Sequence, residues 1–104
     1  MTSVLEEALQ AVSQRGKSYG PPSPLFNAIA KSCALYIELS GGVDSLSGPD
    51  GGYHFSNMMS IMKVFRGALG YKRDNEVDKA GYAWCAEQCA DVGSPLNDAM
   101  EMGA

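Results

Sequence analysis

The chain has 104 residues, 45% of them hydrophobic and 19% charged, which is enough for one domain and too little for two independent cores. Twelve acidic against eight basic residues give a net charge of −4, which excludes a general nucleic-acid-coating role, because neutralising phosphates requires a basic face. The opening MTSVLEEALQ has no basic segment followed by an apolar core, and no stretch approaches the roughly 18–20 apolar residues that span a bilayer. We therefore expect a cytoplasmic protein without a membrane partner. Cys33, Cys85 and Cys89 are an odd number in a chain with no secretion signal, so free thiols are expected.

Ser3 and Glu6 have the capping-box spacing, and Val4, Leu5, Ala8, Leu9 and Val12 recur at helical intervals, predicting a first helix that ends near Gln14. From Arg15 to Ser23 the sequence RGKSYGPPS contains two glycines and two prolines and predicts a loop with a bend. Ser23 as N-cap and Pro24 at the first helical position predict a second helix, with Leu25, Ile29, Cys33, Tyr36 and Leu39 near one stripe and Gly41 or Gly42 as its end. Ser40 to Tyr53 is the most glycine-rich part of the chain, and Pro49-Asp50-Gly51 signals a tight turn, so a loop or small hairpin is expected there. A third helix follows from about Phe55 to Leu69. Its apolar residues wrap more than one face, as in a helix that is central or lies in a subunit interface. Asp74 as N-cap predicts a fourth helix to about Asp91, and Ser94-Pro95 predicts a short C-terminal one. The expected fold is all-α: one domain over residues 1–104, a four- to five-helix bundle with a Gly-rich loop between the second and third helices.

Chemistry is expected around the third and fourth helices. Lys63 and Arg66 are three apart and share a helix face, with Lys72 and Arg73 in the turn beyond. Asp74 and Asp78, four apart, share another, with Asn75 and Glu76 beside them and Tyr82 one turn further along. Carboxylates that hold a divalent cation, facing basic residues that take phosphate oxygens, suit a nucleotide phosphate tail. The same acids also complement a helix dipole with no ligand, and the bases can simply pair with them. In the preceding loop Arg15, Lys17 and Tyr19 put a basic pair beside an aromatic ring, a clamp for a base and its phosphate, or else an ordinary surface loop. Cys85 and Cys89 at i and i+4 match no zinc motif and are expected to pack as small hydrophobes, with His54 a helix-boundary residue.

In combination, RGKSYGPPSPLFNAIA (residues 15–30), MMSIMKVFR (58–66) and RDNEVDKAGYA (73–83) resemble a group of small, mostly phage-encoded proteins with the pattern R-x-x-x-Y-G, K-x-x-R and D-N-x-x-D-x-x-G-Y. That group is more distantly similar to the all-α nucleotide pyrophosphatases of the MazG type. The resemblance implies a helical core, usually oligomeric, that binds magnesium (Mg2+) through carboxylates and splits nucleoside triphosphates. Carried over by position, it implies Asp74 and Asp78 as metal ligands, Lys63 and Arg66 as phosphate contacts, and Asn75 and Tyr82 as supports. The MazG-type enzymes carry an E-x-x-E pair on an earlier helix, where the second helix here offers only Glu38 as a third carboxylate. Three functions follow: a magnesium-dependent pyrophosphohydrolase, a non-catalytic protein that sequesters a nucleotide such as a defence signal, and a module that contacts a host or virion protein. The expected ligand-binding set is Lys63, Arg66, Arg73, Asn75, Tyr82, Lys17 and Tyr19, and a sequestering protein would use the same basic residues with an aromatic such as Tyr19 or Tyr53. A homo-oligomer is expected under all three, because the third helix carries more apolar surface than a monomer of this size hides.

Overall fold

A computed structural model describes residues 3–90 of the chain. Among these residues there are five helices and no strand: α1 (Val4–Tyr19), α2 (Pro22–Leu39), α3 (Asp44–Ser47), α4 (Gly51–Ala68) and α5 (Arg73–Cys89). The all-α expectation holds. No helix among the described residues is long and apolar enough to cross a membrane. The helix predicted from Ser94-Pro95 lies outside the described residues.

The molecule is organised on α4. Helix α5 folds back antiparallel along it, α2 packs on it, and α3 sits against its start. The antiparallel sense is fixed at two levels. At the open end of the α4–α5 hairpin Gly52 meets Cys89, and in its middle Lys63 meets Asp78. A Cβ on Gly52 would stand 2.9 Å from Cys89 Sγ, so the glycine is what lets the two helices close at that end. The apolar residues of α4 expected to wrap the helix are mostly half-buried, as suits the central element. Full burial is rare: among the described residues the buried hydrophobic side chains are Leu25 and Ala86, while Val4, Leu5, Leu9, Val12, Leu35 and Leu39 are all well exposed.

Several boundaries move, each for a local reason. Helix α1 does not stop at Gln14 but runs on to Tyr19, because Gly16 inside a helix costs only about 1 kcal/mol relative to alanine and leaves every backbone bond intact. It ends at Gly20, whose φ of +75° is open to glycine and whose N–H bonds the Gly16 carbonyl, with Pro21 next. Arg15, Lys17 and Tyr19 are therefore helical, not in a loop. Helix α2 starts at Pro22 rather than at a Ser23 cap, using proline where its missing N–H has no helical acceptor. The expected loop or hairpin at 40–53 contains a helical turn, α3, braced by the Ser40 and Ser45 hydroxyls 2.7 Å apart, and α4 already begins at Gly51. Finally, Asp74 is not the N-cap of α5. Lys72 holds that position without a side-chain cap, and Asp74 falls one residue inside the helix.

Candidate functional site

The position of Asp74 inside α5 decides what its carboxylate can do. A capping aspartate spends its oxygens on the backbone of its own helix. Here Asp74 instead lines a cleft of about 380 Å³ together with Asn75 and Asp78. Its second wall is α4, which contributes Lys63 and Arg66. The third is the face of α1 made by Ala11, Gln14, Arg15, Ser18 and Tyr19, residues spaced three and four apart and so stacked along one side of a helix. Extending α1 to Tyr19 is thus what builds this wall.

The side chains in the cleft divide into paired and unpaired. Lys63 Nζ lies 2.7 Å from Asp78 Oδ2; the lysine is almost fully buried and the aspartate nearly half exposed. Arg66 lies over the Tyr19 ring, its Cζ 5.5 Å from the centroid, a cation–π geometry that orients the guanidinium across the α1–α4 junction. Arg66 Nε is shut off from solvent and has no hydrogen-bond partner. Asn75, 2% exposed and the most buried large side chain among the described residues, has the same deficit at Nδ2. Buried donors almost always find acceptors, and leaving one unpaired costs about 1–3 kcal/mol. Of the three buried unpaired polar atoms among the described residues, two belong to residues that line this one cleft, the third being Gln88 Nε2.

The cleft gathers Tyr19, Lys63, Arg66, Asn75, Asp74 and Asp78 from the expected set. It does not gather four others. Lys17 points to the opposite side of α1, beside Leu9, Gln10 and Ser13, because a helix turns residue 17 away from the 15–19 face. Arg73 is the exposed first residue of α5, and Tyr82 is half-buried two turns beyond Asp74; neither lines the cleft. Glu38 is exposed near the C-terminal end of α2 and also lies outside the lining, so the three expected carboxylates do not converge within one chain. No group of three or more His, Cys, Asp or Glu side chains among the described residues is placed to hold a metal ion.

Gln14, Ser18 and the wall role of Arg15 escaped sequence reasoning; their signal was the 11-14-15-18-19 spacing, hidden once a helix end was placed at Gln14. His54 is more than a boundary residue. Its Nδ1 shares a 2.6 Å hydrogen bond with the Tyr36 hydroxyl, which also accepts from Asn57 Nδ2 at 2.9 Å, tying α2 to α4. The three cysteines are free thiols, as expected.

Residues 3–90 match the family model described as a domain of unknown function (DUF6378). Over 88 residues the chain is 38% identical to the Gene 55 protein of Mycobacterium phage D29, a match that covers 83% of this chain and 52% of that protein. The chain thus spans about half the length of this curated relative. No solved structure matches.

Proposed function

The chain belongs to the DUF6378 family and is similar to a phage protein, and on that footing we propose that it is a phage-type nucleotide-binding protein whose α1–α4–α5 cleft takes a phosphate group. The observation that carries this reading is the pair of buried, unpaired donors, Arg66 Nε and Asn75 Nδ2, in one cationic cleft. A phosphate accepts charge-assisted bonds from the Arg66 guanidinium, and a side-chain shift that brings the two shielded donors to the cleft surface gives them the acceptors they lack. Arg15 adds a second cation at the same wall.

Binding without turnover is the form of the function we favour. Asp78 is already committed to Lys63, which leaves Asp74 as the carboxylate without an ion pair in the cleft, and a single carboxylate holds magnesium weakly. Sequestration of a nucleotide, for example a signal made in the infected cell, needs no more than the donors described. A second reading, a MazG-like magnesium-dependent pyrophosphohydrolase, is favoured by one observation: Asp74 and Asp78 line the same cleft four residues apart. Under either reading we propose a homo-oligomer, supported by an α1 that buries no residue and by apolar side chains left exposed on α1 and α2.

The test is a thermal-shift and product assay with the full chain over nucleoside mono-, di-, tri- and cyclic phosphates, with and without magnesium. Stabilisation by a nucleotide, lost in Arg66→Met and Asn75→Leu and accompanied by no product, is the expected result. Product release that requires magnesium and Asp74 selects the second reading. No stabilisation by any phosphate-bearing nucleotide overturns both.

A further inference from the structure

A second cleft, of about 250 Å³, shares Arg15, Tyr19 and Arg66 with the first. Its remaining lining is of a different kind, chiefly Val12, Pro22, Leu25 and Phe26, with no acid among them. Phe26 is 54% exposed although aromatic, and Val12 62% exposed, so this wall presents apolar surface to solvent directly beside the charged cleft. The Tyr19–Arg66 stack is the common wall of the two halves, and a guanidinium lying over an aromatic ring presents both a flat face and in-plane donors.

We infer that the two clefts form one bipartite site, with the nucleobase against Phe26 and Tyr19 and a single, monoanionic phosphodiester at Arg66 and Asn75, as in a cyclic nucleotide. The inference rests on the phosphate-binding reading and deepens it by naming the ligand class. Two physical arguments carry it. Continuity of an apolar, aromatic half with a donor-rich half matches the division of a nucleotide into a stacking ring and an anionic linkage. Charge then selects the linkage. Arg15, Lys63 and Arg66 are opposed by Asp74 and Asp78, so the polar half holds one net positive charge. That balances one phosphodiester, whereas a triphosphate brings several negative charges against Asp74 with nothing left to offset them.

The experiment is titration calorimetry of the full chain with the cyclic monophosphates of all four ribonucleosides, with ATP, AMP and adenosine, and with ribose 5-phosphate, all without magnesium. At least one cyclic nucleotide is expected to bind about tenfold or more tighter than ATP, adenosine and ribose 5-phosphate, the scale of one stacking contact or one charge pair. Phe26→Ala is expected to weaken that cyclic nucleotide roughly tenfold and leave ribose 5-phosphate within about twofold, while Phe26→Tyr, which keeps the ring, binds as the parent does. Folding of each variant is checked by circular dichroism, and Phe26 is exposed enough for both to fold. If ribose 5-phosphate binds as tightly as every cyclic nucleotide, or Phe26→Ala changes both alike, the base half is overturned while phosphate binding stands. ATP binding more tightly than the cyclic nucleotides without magnesium overturns the charge selection. If no phosphate compound binds at all, the functional reading beneath the inference fails with it.

Discussion

Removing the two ends of the Lys63–Asp78 pair should have unequal effects. At 2.7 Å, and with an effective dielectric of about 20, the gross attraction is roughly 6 kcal/mol, most of which offsets the desolvation of the buried ammonium. In Asp78→Ala the lysine, whose side chain is 11% exposed, keeps its charge and loses its partner. Breaking a fully buried pair in this way costs about 3–5 kcal/mol, and because the Asp78 side chain is 43% exposed the expected loss is reduced to about 2–3 kcal/mol. For a domain of this size that is roughly 10–20 °C in Tm. In Lys63→Met the buried charge disappears, an apolar stem of similar length fills its place, and Asp78 turns to solvent, so the expected change is within about 1 kcal/mol. The double variant should be more stable than Asp78→Ala alone. Urea melts followed by circular dichroism measure all three. A nucleotide that binds the cleft should also raise the Tm of Asp78→Ala more than that of the parent, since its phosphate replaces the missing carboxylate. Equal losses in the two single variants, or a double variant worse than Asp78→Ala, would refute the asymmetry and with it the claim that Lys63 is a buried cation dependent on this partner.

The start of α4 offers a graded test of packing. Gly52→Ala should cost about 1–3 kcal/mol through its clash with Cys89, and Cys89→Ala in the same chain should recover part of that by removing Sγ; Gly51→Ala should be worse, because its Cβ meets the backbone carbonyl of Leu46, which cannot swing aside. Light scattering on a size-exclusion column should give a mass above one chain at micromolar concentration, and Leu9→Glu with Val12→Glu on the exposed α1 stripe should reduce it; an unchanged monomeric mass for the parent would overturn the proposed oligomer.

The all-α class was legible because it rests on local signals. The Ser3 cap with its 3.1 Å bond from the Glu6 amide, the apolar run of α4 and the acids in the first turn of α5 each act within a few residues, and all three stand in the structure. The boundaries that failed were those where a breaker residue was weighed alone. Gly16 reads as a stop but is tolerated, and Asp74 reads as a cap but lies inside its helix, because the energies that separate these alternatives are about 1 kcal/mol, within reach of any tertiary contact.

The candidate site divides in the same way. The sequence by itself determined which residues share a face: Lys63 with Arg66 and Asp74 with Asp78 follow from helical spacing, and the structure places all four along one cleft. Only the tertiary structure decided which of those charges answer one another and which donors are left over. That Lys63 takes Asp78, that Arg66 turns onto Tyr19, and that Asn75 is buried to 2% exposure depend on how α1, α4 and α5 approach in space. Local spacing fixes directions around each helix axis, but pairing and desolvation are properties of three helices meeting, and no single stretch of sequence contains them.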